Sequence, residues 1–109
     1  MRAVYKEPGK PARILEVENE LEPLQKLVQG YIEVSAQQLI TPTGTLAYLM
    51  ILNEEGKLRD MEPNVQGPWD TYVGPIVCVC ADGPEFAEIP AEWADRLCEE
   101  LNARSVVPV

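Results

Sequence analysis

Leu46-Ala47-Tyr48-Leu49-Met50-Ile51-Leu52 is a run with no charge, glycine or proline. An apolar segment of this length, bounded by turn residues on both sides, reads as a buried strand in the middle of a sheet. Upstream, Thr41-Pro42-Thr43-Gly44 is a chain break, and the segment before it, Tyr31 to Ile40, reads as another strand. Downstream, Asn53-Glu54-Glu55-Gly56-Lys57 fits a hairpin loop in which Gly56 takes the left-handed conformation that closes a type I turn with a bulge.

The rest of the chain is read outward from this centre. Met61 to Asp70 holds two prolines, a glycine and an asparagine without periodicity, and is expected to be an irregular loop over the sheet edge. Tyr72 to Cys80 returns as a strand rich in valine and isoleucine, with Gly74-Pro75 implying a bend or an edge near its start. Arg2 to Lys6 and Ala12 to Val17, joined by Glu7-Pro8-Gly9-Lys10-Pro11, form a predicted N-terminal hairpin. Asn19 is a candidate helix cap with Glu22 as its capping-box partner. Leu21, Leu24, Leu27 and Val28 follow at helical spacing, and Gly30 supplies the stop. Pro90 opens a last helix with Trp93, Leu97 and Leu101 on one face and Glu92, Asp95, Arg96, Glu99 and Glu100 toward water.

The pattern predicts an α+β fold: a mostly antiparallel sheet with two packed helices, in a single layered domain over residues 1–109. The expected core is Leu24, Leu27, Leu49, Ile51, Val77, Val79, Trp93 and Leu97. Whether the helices share one face of the sheet or take both is left open by the spacing.

Eighteen acidic and nine basic side chains give a formal charge of −9. Such a field repels a polyphosphate backbone, so direct binding to nucleic acid is not expected. No stretch approaches a membrane span and the N-terminus lacks the apolar run of a secretory signal, which points to the cytoplasm. Three cysteines, an odd number, fit a reducing compartment.

The chain contains no histidine. That removes the commonest general base and metal ligand, and with it any Ser-His-Asp or Cys-His device. Glu54-Glu55 is the obvious carboxylate pair for a hydrolase, but neighbouring turn carboxylates are ordinarily solvated. Cys78, Cys80 and Cys98 are expected to pack as core residues, because a strand-borne Cys-x-Cys lacks the spacing of a structural zinc site. No phosphate-cradling glycine motif is present. No catalytic residue, metal or cofactor is therefore assigned. Trp69 and Tyr72 flank the irregular loop beside Asn64, Gln66 and Asp70, a mixture able to stack against and hydrogen-bond a ligand.

Three stretches carry a family likeness: Leu24 to Glu33, Leu52-Asn53-Glu54-Glu55-Gly56-Lys57-Leu58, and Asn64 with Asp70 to Val79 around Val73-Gly74-Pro75. In order and spacing they resemble the domain of unknown function 3846 family, small proteins carried by phages, plasmids and other mobile elements. The resemblance implies a mobile-element context and, through it, a role in counteracting host defence or adjusting host physiology, and brings no established activity. Together with the residues it leads to the expectation of an accessory protein that binds and neutralises a host defence component without catalysis. Two mechanisms follow. The acidic surface could block a basic nucleic-acid-binding host protein, or a pocket of Tyr31, Glu33, Asn53, Glu54, Asn64 and Trp69, with Tyr72 beside it, could sequester a small nucleotide-like signal.

Overall fold

The computed structural model describes residues 1–109. The apolar run lies within a ten-residue strand, β4 (Gly44–Asn53), paired antiparallel over its full length with β3 (Ile32–Thr41). On its other side β4 pairs with β7 (Ile76–Asp82), and β7 pairs in turn with β1 (Arg2–Lys6), which pairs with β2 (Arg13–Glu16). The sheet order is therefore β2-β1-β7-β4-β3, antiparallel throughout, with the short β8 (Glu85–Ala87) folded back on the end of β7.

Two helices cover opposite faces, giving three layers. Because strand side chains alternate between faces, the continuous apolar runs of β4 and β7 divide cleanly. Ile51, Val77 and Val79 turn toward α1 (Leu21–Val28), where Leu24 and Val28 meet them. Tyr48, Met50, Ile76 and Cys78 turn the other way, toward Ala94, Leu97 and Leu101 of α2 (Ala91–Ala103). A strand covered on both sides needs no polar face, which is why neither run alternates. Of the expected core, Leu27, Leu49 and Trp93 are only half-buried and pack at the margins of these clusters.

Local signals were overridden at several points. Asn19 does not cap α1. Glu20 holds the cap position without a side-chain bond, while Asn19 Nδ2 donates to the Phe86 carbonyl at 2.8 Å, a tertiary contact that draws it away. The helix ends on Gln29 in the left-handed conformation, φ 66°, rather than on Gly30. Gly30 is needed for another reason: a Cβ there would lie 2.7 Å from the Asn53 amide nitrogen.

The hairpin expected after β4 does not form. Residues 54–60 instead coil into successive turns, closed by Arg59 N–H to the Glu55 carbonyl at 2.8 Å and Met61 N–H to the Gly56 carbonyl at 2.9 Å. The left-handed residue is Asp60, φ 55°, and not Gly56, where an added Cβ would crowd Val73 Cγ2 at 3.0 Å. The segment read as an irregular loop contains a strand, β5 (Pro63–Gln66), which pairs with β6 (Thr71–Val73) in a two-stranded ribbon. Gly74, at φ +74°, turns the chain between β6 and β7, so the single strand expected over Tyr72 to Cys80 is split.

Truncating Leu97 to Ala should cost about 2–5 kcal/mol in urea unfolding, because Leu97 is wholly buried between α2 and the sheet. The same change at Leu21, exposed on α1, should cost less than about 0.5 kcal/mol despite its place in the same helical pattern.

Candidate functional site

A cleft of about 410 Å³ opens at one end of the sheet, between the start of β3, the 54–60 turns and β6. Asn53 builds its floor. At the end of β4 its Oδ1 accepts the Glu55 N–H at 2.8 Å, which starts the turn, and its Nδ2 donates to the Val28 carbonyl at 3.0 Å, which ties the turn to the end of α1. Arg59 clamps the same junction by donating to the Gln29 carbonyl at 2.7 Å. Across the cleft, Lys57 pairs with Asp70, joining the turns to the β5–β6 ribbon. That hydrogen bond from Lys57 holds the Asp70 carboxyl below its ordinary range.

Four of the seven expected site residues line this cleft: Glu33, Asn53, Glu54 and Tyr72. Asn53 is buried and its amide is committed to the backbone bonds just described, so it shapes the cleft rather than offering a free group. Glu33 and Glu54 are exposed and have no cation, since the cleft's one lysine is taken by Asp70. Tyr72 Oη accepts from Gln37 Nε2 at 2.9 Å, and the ring is half-buried. Trp69 lies outside, 96% exposed, beside a neighbouring groove of about 710 Å³ that Tyr72 and Gln37 share. Tyr31 is exposed and does not line the cleft; its carbonyl accepts the Glu54 N–H at 2.8 Å.

Asn64 is the plain correction. Expected as an exposed loop donor, it is fully buried in β5, where Nδ2 donates to the Lys6 and Gly74 carbonyls, both at 2.8 Å. Its Oδ1 accepts from Lys6 Nζ at 2.8 Å. Lys6 is itself 0% exposed, and its ammonium also reaches Ser105 Oγ at 3.0 Å and the Glu7 carbonyl at 3.4 Å, with no carboxylate among its partners. Burial pushes its pKa below the usual lysine range. The reading failed because an asparagine between prolines and glycines looks like turn chemistry, while its role depends on a lysine 58 positions away.

The thiols of Cys78, Cys80 and Cys98 all belong to the cluster under α2, and burial pushes each of their pKa values up. No group of three or more cysteine, aspartate or glutamate side chains lies close enough to hold a metal ion. Glu54 and Glu55 are both exposed on the first of the turns. Beneath α2, burial and the nearby Cys78 push the Tyr48 phenol up to about 12, against the partial pull of Arg104. Tyr48 Oη and Arg104 Nη2 are the buried side-chain polar atoms left without a hydrogen-bond partner.

Sequence reasoning missed two surfaces. Glu16, Glu18, Glu20 and Glu22 line an open acidic groove of about 860 Å³ between β2 and α1, and their spacing of two was visible in the sequence. The outer edge of β3 is a second, which only the strand order discloses.

The architecture and cleft together define a three-layer α+β domain with carboxylates in surplus along the rim of its sheet. The family model for a domain of unknown function (DUF3846) matches residues 1–102, and the chain belongs to that family. No curated protein and no solved structure matches the chain significantly.

Replacing Asn64 by Ala should lower stability by about 1.5–3 kcal/mol, since it strips a buried ammonium of its best acceptor and frees two buried carbonyls. The melting temperature should fall by roughly 10 °C, and calorimetry checks it. Tyr48 gives a pH prediction. Its phenol stays protonated in the fold to about 12 but ionises at its ordinary 10.0 when unfolded, so the stability it contributes is full below pH 10 and is lost as pH rises through 12. Tyr48→Phe should blunt the loss of stability across that window in alkaline melting curves.

Proposed function

We propose that this chain is a phage or mobile-element accessory protein that works in the host cytoplasm by binding a basic host defence protein, without catalysis. The observation that carries this reading is the way the surface charge is distributed. Every cation but Arg96 has a partner, in several cases at the surface. Arg2, Lys10, Arg13, Lys26 and Lys57 sit in ion pairs, Lys6 is buried, and Arg59 and Arg104 donate to backbone carbonyls. The carboxylates are not so consumed. Glu18, Glu20, Glu33, Glu54, Glu92, Asp95 and Glu99 are all exposed with no ion-pair partner.

A surface whose cations are mostly matched by carboxylates, with further carboxylates left over, presents a predominantly anionic field at a net charge of −9, which steers a basic partner toward it and repels polyphosphates. The same charge bears on the rival mechanism. A nucleotide-like signal would have to bring its phosphates beside Glu33 and Glu54 in the cleft, where no free cation answers them. A basic protein surface meets no such obstacle.

The test is affinity capture from host lysate followed by a salt titration of the recovered partner. Binding should weaken steadily between low and high salt, because exposed charges are screened over about 8–10 Å at ordinary ionic strength. Reversing Asp95, Glu99 and Glu100 to Lys should slow association by about tenfold and change dissociation less. An affinity indifferent to salt, or a nucleotide released on denaturation, would overturn the proposal.

A further inference from the structure

The two edges of the main sheet are built differently. At one end, β2 is four residues long and carries Arg13 and Glu16, the charges and shortness by which natural sheets discourage strand addition. At the other end β3 runs ten residues in unbroken register with β4, with no bulge, proline, lysine or arginine. From Val34 to Thr41 it has no charge at all, in a molecule of net charge −9.

The hydrogen-bond phase of β3 follows from its neighbours. Glu54 N–H donates to the Tyr31 carbonyl, so residues 31 and 54 form a hydrogen-bonded pair, and alternate residues of β3 repeat that pattern toward β4. The even-numbered residues, Ile32, Val34, Ala36, Gln38 and Ile40, therefore direct their N–H and C=O groups outward, where no strand pairs with them. Their side chains lie on the α1 face, which α1 leaves open beyond Ile32: Val34, Ala36 and Ile40 are exposed, Ile40 to 73%. Beside this edge stands Trp69, 96% exposed, lining one groove with Ala36, Gln38 and Ile40. A free strand edge next to an unpacked indole is the arrangement by which an extended peptide is taken up, the backbone supplying affinity and an aromatic contact fixing its position.

Charge decides the occupant. Glu33 and Glu54 stand at the start of β3, and Glu99 and Glu100, outnumbering the single cation Arg96, line the groove at its end with Leu39 and Ile40. A second copy of this chain, paired antiparallel, would bring Glu33 and Glu54 of one molecule against Glu99 and Glu100 of the other. A segment with an uncharged centre and basic ends would satisfy both ends at once. We propose that the outer edge of β3 accepts an extended, basic-ended segment of the partner protein as an added strand, with Trp69 covering it. This rests on the reading of the partner as basic.

The probe is a short synthetic peptide of alternating threonine and valine with two lysines at each end, titrated into isotope-labelled protein. Amide exchange should slow at Val34, Ala36 and Gln38 and remain unchanged at Ser35 and Gln37, whose N–H groups already face β4. Tryptophan emission should shift to the blue, and Trp69→Ala should abolish that shift and weaken binding several-fold. Ala36→Pro removes one outward N–H while sparing the β4 ladder, and should lower affinity at least tenfold. Should that variant unfold, a peptide N-methylated on the amides facing β3 asks the same question of the intact protein and should bind at least tenfold more weakly. Salt-sensitive binding that ignores N-methylation and leaves β3 exchange untouched would overturn the edge site while leaving the anionic-surface reading standing. No binding of the peptide, or equal binding of one with glutamates at its ends, overturns the edge proposal. A concentration-dependent dimer abolished by Ala36→Pro makes a second copy the occupant and overturns it as well.

Discussion

A buried ammonium without a carboxylate holds the molecule's parts in place. Lys6 Nζ is answered by the Asn64 side chain, the Ser105 hydroxyl and a backbone carbonyl, three acceptors for three donors. Asn64 passes the connection on, through its amide to β1 and to the turn at Gly74, and through its carbonyl to the Val106 N–H at 2.9 Å. The ribbon of β5 and β6, the split between β6 and β7, and the tail after α2 all converge on this pair. A buried charge is costly unless its hydrogen bonds are complete, so these segments cannot drift apart separately. The tail adds to β5 in the same way, through the Val65–Ser105 bridge and the reciprocal bonds between Gln66 and Arg104.

With the ribbon anchored, one face of the sheet is closed by α2 and by Val65 and Tyr72 of the ribbon, and the other is closed by α1 only over β1, β7, the end of β4 and the start of β3 at Ile32. What remains open is the β3 flank. Next to it lies the cleft, where the 54–60 turns fold back against β6. The polar rim and the bare strand edge are thus adjacent consequences of how the last third of the chain is pinned.

The charge distribution follows a similar logic. Cations are few, and the fold uses them as fasteners: Arg59 on the end of α1, Arg104 on β5, Lys57 across the cleft. Carboxylates need no such partners at the surface, where water solvates them, so they accumulate there unpaired. With every basic side chain but Arg96 partnered, the surplus carboxylates set the sign of the surface.

The class of fold, the two helices, the N-terminal hairpin and the central strand are legible in the amino-acid order, because each rests on a local period or a turn signal that survives in the structure. The sequence also determined the sign of the surface. It did not determine which faces the helices cover, since an apolar run without alternation is compatible with several burials until strand order is known. Nor did it separate Asn64 and Asn53 from ligand-binding residues: both are short polar side chains in turn-like surroundings, and both proved to be buried fasteners whose partners, Lys6 and the Val28 carbonyl, are remote in the chain. Of the expected site residues, Glu33, Asn53, Glu54 and Tyr72 line one cleft, and Trp69 stands in the neighbouring groove. The β3 edge was invisible for the plainest reason. An edge is a strand that lacks a neighbour, and which strand that is depends on long-range pairing that no local signal encodes.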